Sequence, residues 1–543
     1  MKKKDDNICD LLEMVDNALA PMLDYPHGVL YECLCRQKAM LLFELGREEE
    51  ALAYITESLG VTVRQRYLAP GKNNDAANGN NDDMMKKLLE FGGSLEPDSP
   101  LGYKKRLADL PSEWTIVQIS QLDSGPSLLS PLSYPKNYSK VKPLVMCRFG
   151  CGDYAGEQQV RTIPRHMPLP YSYRSDIVSE FANMKKLFDN GPHFGSVTVF
   201  EKLKSELEER YKATMEAVHQ WLAEHRCLLL GRIVNPSLAK EVEKIVDTLM
   251  KTYQVPENSR ESFSLLLQGS EKLSNKEVLE GLENLIPKSS DADRTKFLQT
   301  AILYNVTWEM LDVLRNNPAS RMPCLALVHA MYSSPKNRRK LKASSTYFVV
   351  DPDNNLKYTS QRMKIVLEGR QQWDGTLSKC PTKDVVKQVL QEKDFYLYCG
   401  HGTGMHILPP VEQLQMQCAS FLVGCCSSDL SRLGSFWEIH GAPVSLMLSG
   451  SPAVLGMLVN VINYDADNMT LNLLESWFPS QIENMKEYKK KLQENNMEYK
   501  KVTFNEEQRK QLHIALLQAR RSMKCSYVAG GFVANGLPMN IAD

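Results

Sequence analysis

The chain contains no apolar run near the roughly 20 residues needed to cross a bilayer. Its opening stretch, MKKKDDNICDLLEM, carries charge but lacks the apolar centre of a secretory signal. A soluble, intracellular protein with no membrane partner is expected. Excess charge of either sign is missing too, because 65 basic residues face 65 acidic ones, so no whole-chain field draws the protein to nucleic acid. The 13 cysteines are odd in number and show no C-x-x-C pair, which argues against a secreted disulfide framework. CLC (Cys33, Cys35) and CRFGC (Cys147, Cys151) lack a second Cys or His pair at zinc spacing, so no metal site is expected. What the chain does have is length: 543 residues leave room for about three domains.

Residues 1–68 carry apolar side chains at three- and four-residue spacing, interrupted at Gly46, and predict a helical hairpin suited to docking on another helical surface. Residues 69–110 open with APGKNNDAANGNNDD, rich in Gly, Asn and Asp, and predict a flexible linker. A second unit, 111–290, begins with a strand through Ile116, Val117 and Ile119. It continues into amphipathic helices around VFEKLKSELEERYKATMEAVHQWLAEHR and after Ser274, where Glu277 completes a capping box. The third unit, 291–543, alternates short apolar strands (TAILY, TYFVV, FYLYC, ASFLVGC, PAVLGML) with helical segments, one of them capped by Thr382. Alternation of this kind predicts an α/β fold, a mainly parallel sheet flanked by helices, with chemistry at the carboxyl ends of the strands.

Two such ends carry reactive residues. His401 follows FYLYC between Gly400 and Gly402, and glycines on both sides permit tight backbone and close substrate approach. Cys425 and Cys426 follow the next strand in LVGCCSSDL, where the small residues beyond can open a helix whose N–H groups hold an oxyanion. An imidazole beside a thiol lowers the thiol pKa and makes it a nucleophile. Taken singly, each side chain is better read as an ordinary core histidine or a buried inert thiol, and it is their pairing that points to chemistry.

The order of GHG at one strand end and GC plus small hydroxyl residues at the next resembles the caspase-type cysteine proteases, and most closely the separases. Trp308-Glu309, YFVVDPDNNL, Trp373 and Gly375 in QQWDGTL, SGSPAVLGML and GGFVANGLP occur in the separase order across residues 295–540. The chain looks like a short, insect-like separase. The resemblance implies a caspase-like sheet for 291–543, a mixed helical and β pseudo-protease (substrate) domain for 111–290, and the short N-terminal hairpin before them. It makes His401 and Cys425 the catalytic dyad, with oxyanion donors at Gly402 and Cys425; Cys426, where a serine is usual, stays an alternative nucleophile. Asp467, with Asp465 beside it, aligns with the acid that binds the substrate arginine, although Val459-Asn460 replaces the usual Trp-Asp. His406 reads as loop surface.

The same resemblance implies thiol acyl transfer without metal or organic cofactor: cleavage after Arg in Glu-x-x-Arg sites of the kleisin subunit of cohesin, which releases sister chromatids. The implied partners are a securin-type inhibitor and a separate helical subunit replacing the long N-terminal region of other separases. The implied location is the cytoplasm, with access to chromosomes and spindle in mitosis and the nucleus left open. Three internal Glu-x-x-Arg sequences, ELGR, ENSR and EEQR, raise self-cleavage, and PENSRE is the one in an expected exposed turn. The lysine-rich segment 480–508 predicts a solvated helix. A catalytically silent scaffold that binds cell-division partners is the competing reading.

Overall fold

The computed structural model describes residues 2–23, 26–69, 79–121 except 94, 144–163, 197–222, 236–253, 319–413, 421–424, 432–433, 439–459, 461–497 and 511–542. A few positions between these are also described, at 180–187, 228–229, 260, 264 and 308–314. The expected strand TAILY, the helix after Ser274 and the sequences ENSR and EEQR lie outside the described residues or across their edges.

Three strands, β1 (Thr115–Gln121), β2 (Leu144–Gly150) and β3 (Gln158–Ile163), form an antiparallel sheet in the order β1-β2-β3. The larger sheet is built from β4 (Thr346–Val350), β5 (Asp374–Leu377), β6 (Phe395–Cys399) and β7 (Phe421–Gly424). After the small pair β8 (Arg432–Leu433) and β9 (Ile439–His440), it is completed by β10 (Ala453–Met457) and β11 (Phe532–Gly536). Its order is β11-β10-β7-β6-β4-β5, parallel throughout except for β11. The mainly parallel sheet read from the strand pattern is therefore present.

β6 and β10 are continuous apolar runs because both of their faces are covered. The helix Lys357–Glu368 joins β4 to β5, and the helix Lys383–Glu392 leads back from β5 to β6. The two crossovers run in opposite directions along the sheet, and the right-handed rule for parallel connections assigns such a pair to opposite faces. The first of these helices packs beside Asn463–Trp477, which packs in turn on Leu512–Ser522. Thr382 caps the second through its hydroxyl and the Val385 N–H, as its sequence predicts. Beneath the sheet, Phe395 meets Trp477 and Phe478 edge-on at 5.6 and 5.1 Å, and Trp373 closes the cluster.

The edge at β11 is finished by a distant segment. Arg321 exchanges backbone hydrogen bonds with Ala534 and Gly536, while its guanidinium is forked onto Glu309 at 2.8 and 2.7 Å. That is the structural use of the Trp308-Glu309 phrase.

The amino-terminal region departs from the expected hairpin and linker. Residues 2–68 form four helices, and 79–89 and 103–108 are helical where a flexible linker is predicted. Leu89, Tyr103, Leu107 and Leu110 are buried, so the polar composition of 71–83 concealed an apolar stripe downstream. The helices 79–89 and 103–108 pack on Leu325–Ser333 of the third unit. Gly60 approaches Cys324 so closely that an added Cβ would lie 2.6 Å from its sulfur. Part of the predicted docking surface thus serves this chain's own core.

In 480–508, Met485–Glu494 is helical as expected. It is anchored rather than fully solvated, since Tyr488 and Leu492 are buried and Lys491 reaches Glu368 at 2.9 Å.

Candidate active site

β6 ends at Cys399, and the chain turns at once. Gly402 (φ +66) and Gly404 (φ +72) both occupy left-handed backbone, which folds 400–407 into a tight loop before Ile407 and Leu408 return to the core. His401 is exposed at the top of this loop. The Tyr398 hydroxyl, from the buried strand below, donates to the His401 carbonyl oxygen at 2.6 Å.

The neighbouring strand ends at the same level. β7 pairs with β6 in parallel, with Tyr398 abreast of Gly424, so the chain leaves β7 toward Cys425 on the edge where it leaves β6 toward His401. Cys425 and Cys426 themselves lie outside the described residues. β10 is parallel to β7 and also delivers its continuation, including Asp465 and Asp467, to this edge.

β4 contributes a structure that sequence reading passed over. Asp351, directly after β4, is buried and adopts φ +50. Its N–H donates to the Cys399 carbonyl at 2.8 Å, one step beyond the β4–β6 ladder. Its Oδ1 accepts the N–H groups of Asn355 and Leu356 at 2.9 Å each, and its Oδ2 accepts the Ser360 hydroxyl at 2.8 Å. The signal was present in DPDNNL, because Asp-Pro followed by Asn is turn chemistry.

The two predicted arginine-binding acids are both held by internal cations. Asp467 is fully buried in the helix Asn463–Trp477; its Oδ2 accepts from Arg362 Nε and Nη2 at 2.7 and 2.5 Å and from Thr359 at 3.0 Å. Burial pushes its carboxyl up to about 6, against the opposing pull of Arg362 and Thr359. Asp465 is paired with Lys204 at 2.9 and 3.1 Å. His406 lies on the exposed loop, 3.8 Å from Asp353. Among the described residues, no group of three or more His, Cys, Asp or Glu is placed to hold a metal.

Residues 277–465 match the family described as "Separin, protease domain". The separin of Mus musculus is 25% identical over 428 residues, covering 72% of this chain and 19% of the mouse protein. That of Emericella nidulans is 29% identical over 181 residues, covering 32% and 9% of the two chains. Among solved structures, the Saccharomyces cerevisiae separase–securin complex has a TM-score of 0.64 at 13% identity, covering 99% of this chain and 38% of that one. The chain thus spans a fifth or less of the length of these two curated relatives. A parallel sheet closed by one antiparallel strand, with a Gly-His-Gly loop at its carboxyl edge, is a caspase-like α/β architecture. Residues 277–465 thus resemble the separin protease domain, and the chain shares its fold with the yeast separase.

Proposed function

We propose that the protein is a cysteine endopeptidase of the separase type, cleaving the kleisin subunit of cohesin after Arg in Glu-x-x-Arg sites. The observation that supports the reading is the β6–β7 register: with Tyr398 abreast of Gly424, the two parallel strands that precede His401 and Cys425 in sequence end at one edge. Cys425, its proton passed to His401, attacks the carbonyl carbon of the arginine and displaces the following amine to leave an acyl-enzyme. His401 protonates the leaving amine and later activates water, while N–H groups at Gly402 and Cys425 stabilise the oxyanion. Asp467 is retained as the arginine-binding acid with a condition: a substrate guanidinium reaches it only if Arg362 gives way.

A securin-type inhibitor is the proposed partner in the cleft, by analogy with the complex of the yeast relative. A separate helical subunit and a cytoplasmic site of action with access to mitotic chromosomes and spindle complete the proposal. The test is cleavage of a kleisin-derived Glu-x-x-Arg peptide, with the partner subunit present. Wild type and Cys426→Ser should cut it, and Cys425→Ser and His401→Ala should not. A wild-type protein as inert as Cys425→Ser would favour the silent scaffold, and loss confined to Cys426→Ser would move the nucleophile by one residue.

A further inference from the structure

An exposed histidine at the top of a glycine loop has little packing of its own to fix it, so whatever holds it must act on the backbone beneath. We propose that Tyr398 and Asp351 are positioning residues that hold the His401 loop from two strands, an inference that rests on the protease reading above.

The first hold comes from β6. Tyr398 is fully buried, yet its hydroxyl reaches forward to the His401 carbonyl at 2.6 Å. Its ring fills the space that side chains at 400 and 404 would need: an added Cβ would lie 2.6 Å from the hydroxyl at Gly400 and 3.2 Å from ring carbons at Gly404. The glycines around the histidine are therefore explained in part by this ring.

The second hold comes from β4. Asp351 extends the ladder to Cys399 through its own N–H, and its carboxylate gathers the 355 and 356 amides and the Ser360 hydroxyl. These bonds keep a non-glycine residue in left-handed backbone, which is ordinarily unfavourable. They also fix Pro352, whose Cδ would be 2.8 Å from a Cβ at position 400. Gly400 is thereby wedged between Tyr398 and Pro352, and His401 follows from a turn that neither neighbour lets move. A displacement of about 1 Å at a reacting group can cost about a hundredfold in rate.

The test uses the full chain with its partner subunit and two readouts. One is kcat and KM on the Glu-x-x-Arg peptide; the other is the pH midpoint for iodoacetamide alkylation of Cys425, followed by mass spectrometry. Tyr398→Phe keeps the ring and removes one hydrogen bond. It should lower kcat about tenfold, as the loss of one bond implies, leave KM within about twofold, and raise the alkylation midpoint toward the free-thiol value of about 8.5. Asp351→Ala should lower kcat about a hundredfold. Asp351→Asn should recover to within about threefold, since an amide oxygen accepts both N–H groups and its NH₂ can donate to Ser360.

A role confined to folding would lower the melting temperature and leave both kcat per folded molecule and the midpoint untouched; that result for Tyr398→Phe overturns the inference. Should Asp351→Ala fail to fold, Tyr398→Phe and Asp351→Asn still decide. A failure of the protease reading is seen separately, as a wild type no more active than Cys425→Ser. The alkylation midpoint then remains as the measure of the grip of His401 on the thiol, and an unchanged midpoint in Tyr398→Phe overturns the inference there as well.

Discussion

Arg362 and Asp467, 105 residues apart, meet through a single carboxylate oxygen. Nε and Nη2 of the guanidinium and the Thr359 hydroxyl converge on Oδ2, and Oδ1 is buried with no donor among the described residues. The pair ties the helix that follows the Asp351 turn to the helix that follows β10, so it braces the sheet edge from outside.

That geometry has a pH signature. Because burial raises the Asp467 carboxyl to about 6, folding is favoured by its protonated form, and this contribution is complete below the ordinary aspartate value and lost as pH rises through about 6. Asp467→Asn does not titrate. The stability of wild type relative to this variant should therefore fall by roughly 2 kcal/mol between about pH 4 and about pH 7. Denaturant titrations at several pH values check it, and parallel curves for the two proteins would refute it.

The two glycines that flank His401 should respond differently to alanine. At Gly402 nothing lies within 4 Å of an added Cβ, so the change costs only the left-handed backbone, about 1–2 kcal/mol. It also keeps the N–H assigned to the oxyanion. Gly400→Ala must instead displace Tyr398 or Pro352, at 2.6 and 2.8 Å, and should lose most activity. Melting curves and peptide cleavage of both variants measure the contrast; equal activities would contradict the wedge at position 400.

Glu475 is the acceptor of a buried network. Arg370 Nη2 donates to it at 2.9 Å, the Tyr488 hydroxyl at 3.1 Å and the Ser480 hydroxyl at 3.1 Å. Removing the acid strands a buried guanidinium, so Glu475→Ala should cost about 3–5 kcal/mol. Glu50→Ala, which breaks the exposed pair with Arg47, should cost less than about 1 kcal/mol. Chemical denaturation of the two variants gives the comparison, and similar losses would deny the Arg370 pair its importance.

Gly60 tests how the amino-terminal helices are joined to the third unit. It combines φ +68 with an imagined Cβ 2.6 Å from the Cys324 sulfur. Gly60→Ala should destabilise by about 2 kcal/mol or more. Adding Cys324→Ala removes the sulfur but keeps the Cβ at 2.9 Å, so it should return part of the steric cost and leave the backbone part, a coupling that a double-mutant cycle measures. Strict additivity would mean that the two surfaces do not touch.

Legibility of the sequence followed burial. TYFVV, FYLYC and PAVLGML read as strands because strands covered on both faces are continuous apolar runs. Asp374–Leu377 escaped notice as a strand, since an edge position tolerates Asp and Gly and leaves only four residues. Gly375 is nevertheless required there, because a Cβ would lie 2.3 Å from the Phe348 carbonyl oxygen. The helices at 79–89 and 103–108 were masked by the polar residues that precede them.

By itself the sequence determined the mainly parallel sheet, the Gly-His-Gly turn at the end of β6 and the placement of a thiol immediately after β7, because local apolar runs and glycines act over a few residues. Only the tertiary structure decided that Asp467 belongs to Arg362 and Asp465 to Lys204, partners 105 and 261 positions away. An acidic residue in a sequence is equally suited to any cation, and packing alone selects which one reaches it. The Tyr398 hydroxyl is of the same kind: its residue type announces a donor, but only the folded loop supplies the His401 carbonyl that receives it.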